Sequence, residues 1–409
     1  MCPGPTLTGV TGPGRRAGVL RTYPALRVLV TARAVSFVGD GITTTVLVLL
    51  AAGRDGPYGV SVLLLASALP RLAGPLAGVV ADRSDTRVLM AACELASAAV
   101  IGVIAVTLPA LPLMAVLVVA TAVLATVRNP AGRGVVPSVV APADRGPANA
   151  LLGIGLTLQV AVGPAVGGLL AAGPGGVRTA LAVDALTFVV AAALLLRLPA
   201  LPPARDPVEI GGVWAEAAAG VRHVTTHRRI RVLVVSLAAL VAVASVDNVA
   251  LVFLAGDALD AGPAGFGVAA SAFGVGMLVA ATACTRLART RSPETLIVGA
   301  VVATGAGTLV TGLAPMLAVV VAAQAVAGAG NAVENIGYDT AVQDTVPRAL
   351  LGRVFGILGT AAQLGASLAT AAGGVLVAFA GPRAVFVGSG VATFAVAVAL
   401  AVTLRRRPG

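Results

Sequence analysis

The chain has 409 residues, of which 58% are hydrophobic and 11% charged, with a mean hydropathy of +0.98. An ordinary soluble domain is about 25% charged, so this composition excludes one and points to an integral membrane protein. The formal charge of +11 would suggest a nucleic-acid partner in a soluble chain, but all 28 basic residues are arginine and their density alternates from one inter-helix segment to the next, which is a membrane-topology pattern.

Residues 1–25 hold Arg15, Arg16 and Arg21 among Gly and Pro, with no apolar core of the secretory kind, and are expected to form a disordered cytoplasmic tail. Six apolar runs follow, at about 26–51, 59–81, 88–108, 111–128, 149–171 and 178–198. Each is about as long as a bilayer-spanning helix and too long for a barrel strand. Residues 199–230 carry Pro202, Pro203, Pro207, Trp214, Arg222, Arg228 and Arg229, and read as a cytoplasmic linker with an interfacial helix. Six further runs lie at about 231–255, 264–284, 294–313, 315–335, 354–378 and 383–404, before a short tail at 405–409.

The expected fold is therefore all-α, with 12 transmembrane helices in two six-helix bundles, 26–198 and 231–404. An internal echo supports the division: at an offset of 206, Asn129 meets Asn335, Gly153 meets Gly359, and Gly167-Gly168 meets Gly373-Gly374. Between the proposed helices, only Arg54, Arg178 and Arg383 fall on odd-numbered links, whereas the tails and even-numbered links hold the others. Both termini are thus expected in the cytoplasm.

Ionisable groups inside apolar runs cost about 2.5–3.5 kcal/mol each at a helix centre on insertion scales, so they mark function or pairing. They are Arg33, Asp40, Arg71, Glu94, Asp184, Asp247 and Glu334. Arg33, Ser36, Asp40 and Thr44 fall on one stripe of the first helix, expected to face a water-filled cavity, with Asp40 binding a proton and Arg33 tuning it. Pairing of Asp40 with Arg33 or Arg71 is the competing expectation. Arg71 and Glu94 are expected to pair with each other, and Asp184 and Glu334 to lie near helix ends in structural roles. Gln159, Asp247, Asn248, Gln324, Asn331 and Gln363 complete the expected cavity lining.

His223 and His227 have i, i+4 spacing but no acidic or thiol partner, so no metal site is expected. Cys2, Cys93 and Cys284 are scattered and suggest no disulfide framework. No constellation of catalytic side chains stands at one membrane depth, and without lysine there is no Gly-x-x-x-x-Gly-Lys nucleotide loop. The sequence thus implies no enzyme and no cofactor beyond a coupling proton.

The link Gly78-Val79-Val80-Ala81-Asp82-Arg83-Ser84-Asp85-Thr86-Arg87 puts four charges between two apolar runs. It resembles the cytoplasmic hairpin Gly-x-Leu-Ala-Asp-Arg-x-Gly-Arg-Arg of the major facilitator superfamily, matching at Gly78, Ala81, Asp82, Arg83 and Arg87. Val80, Asp85 and Thr86 depart from that pattern. The resemblance implies that Asp82 and Arg83 hold the two halves together in the outward-open state. Gly163-Pro164-Ala165-Val166-Gly167-Gly168 looks like the end of the antiporter motif of the family's drug exporters, although Gln159 replaces a usual Gly.

Ser36-Phe37-Val38-Gly39-Asp40, Asn129-Pro130-Ala131-Gly132-Arg133 and Asp184-Ala185-Leu186-Thr187-Phe188 are similar to the branch containing macrolide-type and siderophore exporters. The resemblance covers about the whole chain. It implies a monomeric secondary transporter in the plasma membrane, exporting a small hydrophobic or amphipathic compound in exchange for protons. Uptake on the same architecture is the alternative.

Overall fold

Backbone groups cannot find water inside a bilayer, so a chain this rich in Ala, Val and Leu satisfies them within helices. A computed structural model describes residues 13–73, 85–201, 221–222, 224–287, 292–347 and 350–405, and these contain helices and turns but no strand. In chain order the helices are α1 (Pro13–Thr22), α2 (Pro24–Ala68), α3 (Thr86–Thr107), α4 (Leu111–Val139), α5 (Arg145–Ala161), α6 (Gly163–Ala172) and α7 (Gly176–Leu195). The second half holds α8 (Arg228–Phe253), α9 (Gly262–Leu287), α10 (Pro293–Leu313), α11 (Leu317–Thr345) and α12 (Leu351–Arg405).

Ten helical segments among the described residues are long and apolar enough to cross a membrane. Two of them, Pro24–Ala73 and Leu351–Thr403, have 50 and 53 residues, over twice the roughly 20 that one crossing needs. Each is broken by one glycine in the left-handed region, Gly56 (φ 66°) and Gly381 (φ 77°), followed by Pro57 and Pro382. Links of several residues were expected here; single glycines make the turns instead, because only glycine adopts this φ without strain.

A positive φ recurs at Gly262 (φ 63°) and Gly175 (φ 82°), so the pairs 56/262 and 175/381 both stand 206 apart, the offset of the sequence echo. A second correspondence lies beside them. Arg178 donates to the carbonyls of Ala105 and Val106 at the end of α3, and Arg383 to those of Gly312 and Ala314 at the end of α10. Arg54 likewise reaches the Leu108 carbonyl at 3.2 Å. All three arginines of this end, called the Gly56 end below, thus cap helix C-termini, where cations offset the helix dipole and orphan carbonyls need donors.

The expectation of a disordered N-terminal tail is corrected, because Pro13–Thr22 form α1. Three expected boundaries are corrected as well. The fourth run does not stop at 128: α4 continues through Pro130 and Pro137 to Val139. The tenth does not stop at 335, since α11 reaches Thr345. The fifth is two helices, α5 and α6, interrupted at Val162 (φ −109°) just before Gly163-Pro164, because proline cannot donate to the preceding turn.

The halves meet along α9 against α5 and α6, and along α12 against α2. Small residues allow this approach. A Cβ on Gly168 would lie 2.9 Å from the Gly267 Cα, one on Gly274 would lie 2.5 Å from the Ala161 Cα, and one on Gly374 would lie 2.8 Å from the Pro57 carbonyl. Backbone-to-backbone packing of this kind replaces hydrophobic driving force in lipid. These contacts lie toward the Gly56 end, and Gln363 adds a 3.4 Å hydrogen bond to the Ala68 carbonyl deeper in.

Candidate functional site

Longer α4 carries Arg128 into the interior of the first half, where it is 1% exposed. A buried guanidinium requires acids and acceptors in fixed geometry. Arg128 finds two: Nη1 donates to Glu94 Oε2 at 2.6 Å, and Nη2 to Asp40 Oδ2 at 2.8 Å. Its cation also lies 5.2 Å from the centroid of the Phe188 ring.

Arg33 sits beside this pair. Its guanidinium stacks 4.3 Å over Phe37, donates to Asn129 Oδ1, and comes within 3.8 Å of Glu94 Oε1. The fully buried Glu94 also accepts from the Ser36 hydroxyl at 3.1 Å. A third acid, Asp184, is buried on α7 and accepts from Thr43 and from Thr187, the latter at 3.0 Å. Gly39 makes room for it: a Cβ there would stand 2.0 Å from Asp184 Oδ1 and 2.1 Å from Thr187 Oγ1.

A cavity of about 550 Å³ opens against this network. Asp40, Thr44, Arg71, Gln159 and Asp184 line it, together with Thr43, Ser67, Ser97, Thr121, Thr126 and Asn129. Apolar walls come from residues such as Phe37, Leu63, Ile101 and Phe188. Asp40, the only member of the Arg128 pair to line this cavity, has a side chain 23% exposed.

Several expectations change. Asp40 pairs with Arg128, neither with Arg33 nor with Arg71, and Glu94 pairs with Arg128 and Arg33 in place of Arg71. Arg71, in a 3-10 turn after α2, is exposed and lines the cavity. Ser36 and Glu94 stand behind the cavity wall as supports and do not line it. Asp184 lies in the middle of α7, and Glu334 lies 11 residues before the end of α11, so neither is at a helix end.

From the second half, Asp247, Asn248, Gln324, Asn331 and Gln363 do not line this cavity. Gln324 is buried and donates to Thr311 at 3.3 Å, Asn331 accepts from Asn335 at 3.1 Å, and Gln363 bridges to the first half as described. Sequence reading missed Arg128 by ending its helix there. The 21 residues from Pro112 to Gly132, which hold no other charge, were the available signal.

Of the antiporter-like residues, Gly163 packs on Gly41, with a virtual Cβ 2.6 Å from its Cα, and Gly167 packs on Ile42. Pro164 opens α6, and Gly168 forms the contact with the second half. Of the charged hairpin, Gly78, Asp82 and Arg83 lie outside the described residues. Asp85 caps α3 by accepting from the Arg87 and Val88 amides, and the Arg87 guanidinium donates to the Leu198 carbonyl at 3.3 Å. His223 also lies outside the described residues.

A family model described as "Transmembrane secretion effector" matches residues 22–370. An uncharacterized MFS-type transporter of Bacillus subtilis (strain 168), YfiS, is 26% identical over 384 residues, which cover 91% of each chain. Among solved structures, the nucleoside transporter NupG in its D323A form aligns with a TM-score of 0.78 at 14% identity, over 93% of this chain and all of that one. A POT family transporter in complex with 5-aminolevulinic acid aligns at 0.71 and 12% identity, over 93% and 96%. At such identities the structures speak to fold alone. With an all-helical membrane architecture and a match over most of its length, the chain belongs to the Transmembrane secretion effector family and is a multi-pass membrane transporter of the major facilitator type, not an enzyme.

Proposed function

We propose that this transporter exports a small hydrophobic or amphipathic compound in exchange for protons, by alternating access of a site between two six-helix halves. Splitting α2 at Gly56 and α12 at Gly381 turns ten spanning segments into twelve crossings, six before the 199–230 linker and six after it. The arginine asymmetry supports an orientation with both termini in the cytoplasm and the Gly56 end outside. The protein works as a monomer in the plasma membrane, with the lipid bilayer as its solvent.

The observation that carries the reading is Asp40, held by Arg128 at 2.8 Å on one side and opening on the cavity on the other. A proton on Asp40 removes its attraction for Arg128 and leaves that guanidinium to Glu94 alone. Substrate entering the cavity meets whichever state of Asp40 the proton has set, and coupling needs no more than that difference in affinity.

Export is supported by the secretion-effector family description and by the helix break at Gly163-Pro164. The test is transport in everted membrane vesicles, using a panel of hydrophobic compounds with and without an imposed proton gradient. Gradient-dependent accumulation inside the vesicles is expected; gradient-dependent depletion would mean uptake in the cell.

A further inference from the structure

The second half has no copy of the Arg128 pair, and an acid stands where the guanidinium would be. At the 206-residue offset Arg128 corresponds to Glu334, and Glu94, its partner, corresponds to Ala300. Where the first half has a cation and an acid, the corresponding positions of the second half have an acid and an alanine. Glu334 is 2% exposed and forms no salt bridge among the described residues.

Its helix face is tightly packed. Gly330 and Gly337 share its face of α11, at i−4 and i+3. A Cβ on Gly330 would lie 2.7 Å from the Ala300 carbonyl, and one on Gly337 2.7 Å from Ile297 Cγ1, so this face presses directly on α10. One turn along, Tyr338 is 1% exposed and shares a 2.7 Å hydrogen bond with Ser236 of α8. Leu233, Leu237, Ile297 and Val301 pack in one buried apolar cluster with Tyr338.

The ionisable groups on the neighbouring helices do not compensate Glu334. On α8, Arg229 pairs with Glu294 of α10, Arg231 donates to the Thr225 carbonyl, Arg228 lies on the first turn, and Asp247 is a further acid. From Gly262 to Ala283, α9 has no Asp, Glu, Arg or His; α12 brings Arg353 in its first turn and Arg383, which donates to the Gly312 and Ala314 carbonyls; and α11 itself adds Asp339 and Asp344. None of these forms an ion pair with Glu334.

We propose that Glu334 is a second proton-binding site, so that the second half carries its own proton at the position where the first half carries Arg128. Nearly buried and without a cation, the carboxyl holds its proton. It releases that proton when the glycine-lined contact between α10 and α11 loosens and more water reaches it. A buried carboxylate without a partner is an arrangement that membrane interiors disfavour. The inference rests on the proton-coupled reading above, which it extends from one site to two.

The test is infrared difference spectroscopy across a pH titration of the full-length protein in liposomes, comparing wild type, Glu334→Gln and Glu334→Asp. The wild type is expected to show a protonated-carboxyl band that Glu334→Gln removes and Glu334→Asp shifts in frequency. Because Gln keeps the shape of Glu, Glu334→Gln should retain the wild-type melting temperature; should it not fold, the shifted band of Glu334→Asp carries the assignment. In substrate-driven exchange, Glu334→Gln should move one proton fewer per substrate. Identical carboxyl bands in all three proteins would overturn the second site. Separately, a wild type that shows the Glu334 band but moves no protons with substrate would overturn proton coupling and leave Glu334 as a structural acid.

Discussion

Ala165 and Ser271 join the two halves of the molecule through a single 2.7 Å hydrogen bond, from the Ala165 backbone amide to the Ser271 hydroxyl. The bond follows from the break in the fifth run. With the helix interrupted at Val162 and restarted by Gly163-Pro164, Ala165 is in the first turn of α6, where amides lack intrahelical acceptors. A side chain of the other half supplies the missing acceptor, and Gly168 against Gly267 brings the backbones close enough for it to reach.

Ser271→Ala is therefore expected to weaken the contact at the Gly56 end. Loss of one such bond, with the amide left buried, costs about 1–3 kcal/mol. The equilibrium between forms closed and open at that end should move by at least roughly fivefold. Spin labels placed on either side of the contact would report this as a rise in the long-distance population, with melting temperature little changed.

Arg128→Met should be far more damaging. It leaves Glu94 buried without its closest cation, and breaking a buried pair in this way costs about 3–5 kcal/mol. Arg128→Met combined with Glu94→Gln removes the stranded charge and should recover most of the lost thermal stability. It should not recover transport, since Asp40 has no switch partner. Melting curves in detergent alongside vesicle transport separate the two effects.

Asp40→Asn keeps size and hydrogen-bonding capacity at a side chain that is 23% exposed, so folding should be close to wild type. Gradient-driven transport should fall to background, while exchange of labelled for unlabelled substrate across equal pH should persist. Undiminished gradient-driven transport by this variant would remove Asp40 from the coupling mechanism.

Gly39→Ala adds one methyl group directly onto Asp184 and Thr187, at 2.0 and 2.1 Å before relaxation. Overpacking of this kind costs about 1–3 kcal/mol, and relief requires α2 and α7 to separate or Asp184 to leave its hydroxyl partners. Lower thermal stability together with impaired transport is expected. Gly53→Ala, where nothing lies within 4 Å, is the control and should be neutral.

Apolar run length made most of the architecture legible, because it is dictated by the bilayer whatever the side chains do next. The polar stripe of the first helix was legible in part: Asp40 and Thr44 line the cavity, whereas Arg33 and Ser36, expected there too, are buried behind it. What failed was the end of the fourth run. The sequence reading stops it at 128, yet α4 runs on through both Pro130 and Pro137. In a packed membrane helix, neighbours accommodate the carbonyl that proline leaves unbonded. That one misreading moved Arg128 from the protein interior to a surface link and left Asp40 and Glu94 without their real partner. Distances across the fold, such as Gly39 to Asp184 or Ala165 to Ser271, have no signature in local sequence.

Turning on one glycine leaves a chain no slack. At Gly56 and Gly381 the polypeptide reverses direction without a loop, so that face of the molecule offers little flexible backbone for a protease to grip or an antibody to embrace. Tags, fusion partners and inserted domains belong on the opposite face. A reagent raised against that face would have to recognise the tips of helices, rigid and few, rather than any extended segment.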